Sequence, residues 1–202
     1  MPLFGSLFTR NPAPNYVKEF ADALKRTRSW HLSPPEFGSS SNRYLSEDAT
    51  VEIGRRWQDI YRGHAPEVFA GKCFEVAGTM QKPLEDILGV PLAFTLGYVK
   101  FHGRPVFHTP TKKLKPMLKQ NLALQAVNLH AWLTLPSHEI IDLTFFTTVG
   151  VHQQTPDYIG MACIGHSNEI QDFLSYHPQL VGDGFLKKTG VLLEGMFLLS
   201  SN

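Results

Sequence analysis

The stretch that decides the fold runs from residue 129 to 145 and has the sequence LHAWLTLPSHEIIDLTF. Two runs of alternating apolar and polar residues flank a short Pro-Ser-His segment, a pattern typical of a β-hairpin. One face of each predicted strand is apolar, and the members are Leu129, Ala131, Leu133 and Leu135 on the first strand and Ile141, Leu143 and Phe145 on the second. Both sets must face the core, so the residue numbers of each cross-strand pair must add up to an even number.

A three-residue loop at positions 136–138 satisfies this condition, because it places Leu135 opposite Glu139 and Trp132 opposite Asp142. A two-residue loop would turn one apolar set to the wrong face. In the accepted register, His130 and Asp142 lie on the less apolar face as diagonal neighbours. Diagonal Cβ atoms in a sheet are about 7 Å apart, which allows an imidazole–carboxylate hydrogen bond.

The remaining chain divides into helices first and strands afterwards. Helical spacing predicts helices over 16–30 and 48–61 and a third beginning after Gly71-Lys72, which Pro83 ends or kinks before a short helix up to Gly89. Strands are predicted over 92–102, 129–135, 140–149 and 158–164, and a last helix from Ser167 through 170–176. This order predicts an α+β fold, with N-terminal helices packed on an antiparallel sheet. We assign residues 1–47 to an N-terminal extension and 48–202 to one globular domain.

Composition excludes several classes of protein. The 202 residues are 43% hydrophobic and 18% charged, and the net charge of +1 gives no reason to expect nucleic acid as a partner. The N-terminus lacks the basic start of a secretory signal, and the apolar run from Val191 to Leu199 is too short for a membrane span. Two cysteines cannot form a disulfide framework. We therefore expect a cytoplasmic protein without a membrane partner, with export by a signal-independent route left open.

Cys73 lies at the predicted start of the third helix. Unpaired backbone N–H groups there favour a thiolate and could hold an oxyanion. The alternative is that Cys73 is a small apolar residue in the buried stripe of that helix, together with Val76, Ala77 and Met80. For His130 and Asp142 the alternative is an ion pair on the surface of the hairpin.

These residues resemble the transglutaminase-like superfamily. The resemblance covers residues 70–146 and depends on Gly71-Lys72-Cys73, on 89–91 followed by 96–99, on His130-Ala131-Trp132-Leu133 and on 140–144. It implies a papain-like fold, a catalytic triad of Cys73, His130 and Asp142, and acyl transfer through a thioester.

Further implications of the resemblance are a peptide, protein or small amide as substrate, and no metal or organic cofactor for the thiol chemistry. Trp132 lies on the same strand face as His130, so it is a candidate substrate-binding residue in the wall of the cleft, and the alternative is that it packs against a neighbouring loop. Tyr98 is the second candidate substrate-binding residue. The enzyme would be a cysteine peptidase or amidase, a deamidase or a transglutaminase, and the alternative is a catalytically inactive binding module of the same fold. No Gln stands at the short upstream spacing used for a papain-type oxyanion hole, and Gln58 and Trp57 are too far upstream to assign.

Other candidates lie outside the resemblance. The lysines between Tyr98 and His130 could form a lid or substrate rim or a solvated basic face, and they are Lys112, Lys113, Lys115 and Lys119. A zinc site would combine His102 and His108 with His130 or Cys163, although their spacing is not that of a tight ligand pair. Cys163 lies in an apolar run, so we expect it in the core.

Overall fold

The computed structural model describes residues 15–123, 127–170 and 173–191. These residues form an α+β fold in which helices surround one antiparallel sheet of six strands. The helices are α1 (Tyr16–Ser29), α2 (Glu47–Tyr61), α3 (Cys73–Leu88), α4 (Thr111–Met117), α5 (Phe145–Gln153) and α6 (Gly184–Lys188). The strands are β1 (Ala93–Phe101), β2 (Arg104–Val106), β3 (His130–Thr134), β4 (Glu139–Asp142), β5 (Cys163–His166) and β6 (Leu174–Val181). Short 3₁₀ turns cover Pro66–Val68 and Pro156–Tyr158.

Strand β1 is the centre of the sheet, because it pairs with β2, β3 and β6. The sheet continues from β3 to β4 and from β4 to β5, and every pairing is antiparallel. Alternation of side chains along β3 separates two cores. Ala131 and Leu133 face α2 and α3, whereas Trp132 faces α1 and α5. The hairpin therefore contributes to both cores.

Helix α1 belongs to the second of these cores, although its sequence lies in the predicted extension. Asn15 caps the helix, since its side chain accepts a hydrogen bond from the N–H of Lys18. The buried face carries Tyr16 and Phe20, and the Tyr16 hydroxyl lies 2.7 Å from Thr134 Oγ1 in β3. Residues 16–47 thus pack into the same body as the sheet, while residues 1–14 of the predicted extension lie outside the described residues.

Helix α3 continues through Pro83, so the predicted break at this residue is wrong. Proline removes one hydrogen bond of the helix. The apolar stripe nevertheless continues beyond it, because Met80 and Leu84 are both buried against the sheet side of the core. Burial on both sides of Pro83 holds the helix together. Its end at Gly89, with a φ of 67°, is as the sequence predicted.

The region after Asp142 differs most from the sequence-based prediction. The strand predicted over 140–149 ends at Asp142, and α5 follows at Phe145. The strand predicted over 158–164 is displaced to Cys163–His166. The helix predicted over 170–176 is wrong, because Leu174–Val181 forms β6. Pro178 is tolerated in β6 because the strand pairs with β1 only and the register shifts beside this residue.

None of the helices in the described part of the chain is long and apolar enough to cross a bilayer. The apolar run beginning at Val191 lies, from residue 192 onward, outside the described residues.

Candidate functional site

The hairpin formed by β3 and β4 has the predicted register. Leu133 pairs with Ile141 and Thr134 with Ile140, and the N–H of Leu135 donates to the carbonyl of Glu139 at 2.9 Å. The loop is therefore the predicted three-residue one. Its last residue, His138, has a φ of 64°, and a left-handed residue at this position is typical of three-residue hairpin loops.

This register brings His130 and Asp142 together. His130 Nε2 lies 2.6 Å from Asp142 Oδ2, and the two side chains are 1% and 0% exposed. The pair is therefore buried, and the alternative of a surface ion pair on the hairpin is wrong. A buried ionised pair is stable only when its remaining polar atoms are also satisfied, so the surroundings of each partner matter.

Four hydrogen-bond donors besides His130 satisfy the Asp142 carboxylate, and the most distant is the Thr144 hydroxyl, 3.4 Å from Oδ1. Its Oδ2 also accepts a hydrogen bond from the Tyr176 hydroxyl at 2.9 Å. Its Oδ1 accepts from the N–H groups of Thr144 and Phe145 at 3.0 and 3.1 Å, at the start of α5. Burial alone would raise the pKa of Asp142, but the charge of His130 and these hydrogen bonds outweigh burial and lower it.

The imidazole of His130 is enclosed by aromatic rings. Phe107 stacks on it with ring centroids 5.3 Å apart, and Phe145 contacts it edge-on at 5.6 Å. Burial disfavours the protonated ring, but the charge of Asp142, followed by that of Cys73 and by hydrogen bonds to both side chains, raises the pKa of His130 to about 10. The neighbours of His130 therefore favour the protonated ring.

Cys73 is the first residue of α3, as predicted. The turn before it has Gly71 at a φ of 74°, and the N–H of Gly71 donates to Thr148 Oγ1 at 3.1 Å. This contact fixes the entry to α3 against α5. Since Nε2 of His130 is bonded to Asp142, the nitrogen that remains for the Cys73 side chain is Nδ1. The three residues predicted as a triad thus meet in one place.

The thiol is covered in this structure. Cys73 is 6% exposed and borders a cavity of about 10 Å³, which has room for about one water molecule. The cavity lies between α3 and the hairpin, and its wall includes Val76, Ala131, Ile141 and Thr144. Cys73 also belongs to the buried stripe of α3, so the apolar alternative for its position describes part of its surroundings.

The two predicted substrate-binding residues, Trp132 and Tyr98, differ in exposure. Trp132 is 0% exposed, and its Nε1 donates to the Tyr16 hydroxyl at 2.8 Å. It therefore joins the hairpin to α1 and offers no surface to a ligand in this structure. Tyr98 is half-buried and contacts two imidazole rings. The centroid of its ring lies 4.2 Å from that of His108 and 4.6 Å from that of His177.

Tyr176 and Phe107 are the site residues that sequence reasoning missed. Tyr176 was hidden because 170–176 was predicted as a helix, whereas the apolar–polar alternation of Leu174, Ser175, Tyr176 and His177 is the signal that favours a strand. Phe107 follows a three-residue strand, and no local pattern predicts that its ring lies on His130.

Cys163 is buried in β5, as predicted, at 8% exposure. Burial is the main cause that raises its pKa to about 12, and the negative charge of Asp142 adds to the effect. Gln58 donates to the carbonyl of Gly160 at 3.3 Å, and we assign it no part in the site. His102 stacks on Phe173, and His108 packs on Tyr98 with the two rings tilted by 40°. The described residues contain no group of three or more His, Cys, Asp or Glu side chains arranged to hold a metal ion.

Comparisons of the chain with protein-family models, with curated proteins and with solved structures find no match.

Proposed function

We propose that this protein is a thiol-dependent acyl-transfer enzyme of the transglutaminase-like type, with a papain-like catalytic domain. The observation that carries the proposal is the buried His130–Asp142 pair at 2.6 Å, whose imidazole also interacts with the Cys73 side chain at the start of α3. A cysteine paired with an imidazole that a carboxylate orients is the usual arrangement of a thiol nucleophile. The motifs that resemble the transglutaminase-like superfamily include these same three residues.

The first half of the reaction forms a thioester. The Cys73 thiolate attacks the carbonyl carbon of an amide while His130 holds the proton that came from the thiol. The tetrahedral intermediate then collapses, the C–N bond breaks, and His130 gives its proton to the leaving nitrogen. Asp142 keeps Nδ1 of His130 turned toward the sulfur and stabilises the imidazolium. Tyr176 and the N–H groups of Thr144 and Phe145 hold Asp142 in place.

The negative oxygen of the intermediate needs hydrogen-bond donors. The first N–H groups of an α-helix have no acceptor within the helix, and in α3 the first intrahelical acceptor, the carbonyl of Lys72, is taken by Val76. The N–H of Cys73 therefore remains for the oxyanion, at the positive end of the helix dipole.

The second half of the reaction transfers the acyl group. Water or an amine attacks the thioester carbonyl, His130 accepts its proton, and the Cys73 thiolate leaves. Water as acceptor gives a peptidase, amidase or deamidase, and an amine gives a transglutaminase. The thiol chemistry uses no metal or organic cofactor, and the two free cysteines fit the reducing cytoplasm in which we place the enzyme.

Acyl transfer is tested by trapping the thioester. We expect p-nitrophenyl acetate to acetylate Cys73 with release of p-nitrophenolate. The acetyl group should then be removed by hydrolysis in buffer or by transfer to an added amine. Mass spectrometry of the intact chain and of its peptides follows both steps. Cys73→Ala should abolish acetylation. Cys163→Ala is the matched control and should leave it unchanged, because the Cys163 thiol is equally buried and its raised pKa keeps it protonated.

Two results would contradict the proposal. Acetylation of Cys163 in place of Cys73 would assign the reactive thiol to the wrong residue. A folded protein in which neither thiol is acetylated, while two-dimensional NMR finds the His130 ring neutral at pH 7, would favour the catalytically inactive binding module.

A further inference from the structure

A second concave site lies on the surface beside α4. It is a groove of about 490 Å³, within the range of pockets that hold organic ligands. The residues that line it are Trp30, Thr111, Lys112, Lys115, Pro116 and Lys119. We call this site the lysine groove. None of the members of the catalytic triad lines it.

The charge of the lysine groove has one sign. Its three lysines are exposed, and no carboxylate is among the lining residues. In the described part of the chain, none of these three forms an ion pair, whereas Lys72 and Lys82 on α3 are paired with Glu75 and Asp86. Because the whole protein carries a net charge of only +1, this local excess is a property of the groove.

Trp30 supplies an apolar wall to the same groove. Trp57 and Trp132 are 1% and 0% exposed, but Trp30 is only partly buried, at the end of α1. An indole beside ammonium groups offers apolar contact and hydrogen-bonded or ionic contact within one site. A matching ligand carries both negative charge and an apolar group.

We propose that the lysine groove binds an acidic segment of polypeptide, with carboxylates at the lysines and an apolar side chain on Trp30. Lys112 and Lys115 are one helical turn apart, about 4.5 Å along the axis, and Lys119 lies beyond the end of the helix. Charges spread in this way suit several carboxylates along an extended chain.

The composition of the groove favours carboxylates over nucleic acid. Arginine forks are the side chains best matched to phosphate, and no arginine lines the groove. Proteins that bind single-stranded nucleic acid stack successive bases on several aromatic rings, whereas this groove has one. Binding at the lysine groove does not require acyl transfer at Cys73, so the two proposals can be tested separately.

Trp30 makes the binding measurable. The probe is the peptide acetyl-Glu-Glu-Leu-Glu-Glu-amide, which has no fluorescence of its own, and the readout is quenching of tryptophan emission by neutral acrylamide. Trp57 and Trp132 are buried, so the quenchable emission comes from Trp30. We expect the peptide to protect this emission in a saturable way, and the affinity to fall as salt is added.

Variants assign the protection to the groove. Each of Lys112→Gln, Lys115→Gln and Lys119→Gln should weaken binding about two- to fivefold, and the triple variant should weaken it about tenfold or more. Lys18→Gln and Lys100→Gln change exposed lysines on α1 and β1, outside the groove, and should leave binding unchanged. The circular dichroism spectrum and the urea midpoint of each variant check that the fold is intact.

Several outcomes would overturn the proposal. These are no protection by the peptide, equal protection by acetyl-Gln-Gln-Leu-Gln-Gln-amide, equal protection by inorganic phosphate at the same concentration, or tighter binding of oligothymidylate than of the acidic peptide. Equal losses in the control variants would also overturn it, because the effect would then come from net charge alone.

Discussion

The start of α3 and the start of β5 each place a cysteine in the protein interior, and the two thiols are almost equally buried, at 6% for Cys73 and 8% for Cys163. Their neighbours differ. Cys73 faces the imidazole of His130, whereas Cys163 faces the hydroxyl of Tyr176 and the negative charge of Asp142. Burial therefore does not distinguish the proposed nucleophile from the core cysteine. The two thiols differ in the chemistry of the nearest group.

Asp142 acts on both thiols, with opposite results. In the mechanism we propose, it raises the pKa of His130, and a protonated His130 would stabilise a thiolate at Cys73. Across the β4–β5 pairing, where it lies opposite Cys163, it adds to the burial that raises the pKa of that thiol to about 12. One buried carboxylate thus favours ionisation at one sulfur and opposes it at the other.

Replacing His130 is expected to have the largest effect on this contrast. His130→Gln keeps a polar side chain beside Asp142 but removes the base and the cation. We expect alkylation of Cys73 by iodoacetamide to slow by a factor on the order of 10²–10⁴, the range typical of general acid–base groups. The measurement is the labelling rate of each cysteine, resolved by peptide mass spectrometry.

Cys163 serves as the internal control for this variant. Its labelling should stay slow, because its surroundings are unchanged. Fast labelling of Cys163 would show that His130→Gln unfolds the protein, and the conservative variant His130→Asn would then be used. An unchanged rate at Cys73 in a folded variant would remove His130 from the mechanism.

The His130–Asp142 pair should also make stability depend on pH. The pKa of His130 rises from 6.5 to about 10 on folding, so its contribution is complete below pH 6.5 and is lost as the pH rises toward 10. The pKa of Asp142 is lowered from 3.8, so its contribution is present above this value and is lost as the pH falls below it. Stability from the pair is therefore greatest between these two ranges.

The measurement is the urea midpoint at pH 6, 8 and 10 in Cys73→Ala. This variant keeps the contact of His130 with Asp142 but lacks the thiol, which also raises the pKa of His130, so the loss of stability should begin at a lower pH than in the wild type. The free energy of unfolding should fall by an amount on the order of a few kcal/mol over this range. Cys73→Ala with His130→Gln is the matched control, and the difference between the two curves isolates the pair. Parallel curves would mean that His130 is neutral in the folded protein.

The sequence predicted the hairpin because two independent constraints agreed. Apolar alternation on both strands required an even register, and only one short loop satisfied it, so His130 and Asp142 could be placed before any coordinates. Cys73 could be placed at the start of α3 because Gly71 and the apolar stripe mark where that helix begins. The contact between Cys73 and His130 was expected only from the resemblance, since no local pattern relates α3 to β3.

The region after Asp142 could not be predicted from local propensity. The sequence FFTTVGVHQ is rich in β-branched and aromatic residues, yet it forms α5, in which Phe145 through Gly150 are all buried. The Asp142 side chain ends the strand, because its Oδ1 accepts the N–H groups of Thr144 and Phe145 that begin the helix. This local hydrogen-bonded turn, together with the burial of Phe145 through Gly150, thus overrides the β propensity of the segment. The wrong prediction of a helix over 170–176 also placed Tyr176 outside the sheet, so its contact with Asp142 was not foreseen.

Tyr176 offers the finest test of the contrast between the two thiols, because its hydroxyl lies between Cys163 and Asp142 Oδ2. Tyr176→Phe removes one donor from the carboxylate and keeps the ring. We expect a loss of about 1–2 kcal/mol in the free energy of unfolding. The labelling rate of Cys73 should change only about three- to tenfold, because His130 keeps its own 2.6 Å contact with Asp142. Cys163 should remain unreactive, since burial is the main cause of its raised pKa and Tyr176→Phe keeps the ring that covers it.

The pH profile separates positioning of Asp142 from simple packing. Without the tyrosine donor the Asp142 carboxylate becomes more basic, so the acidic limb of the Cys73 labelling profile should move to higher pH. Tyr158→Phe is the matched control, because Tyr158 packs on Phe146 in the same core and forms no hydrogen bond to Asp142. If Tyr176→Phe lowered stability but the acidic limb of the Cys73 labelling profile stayed at the same pH as in the wild type and in Tyr158→Phe, Tyr176 would be a packing residue. If the acidic limb moved only in Tyr176→Phe, Tyr176 would be a positioning residue, which tunes the effect of Asp142 on Cys73.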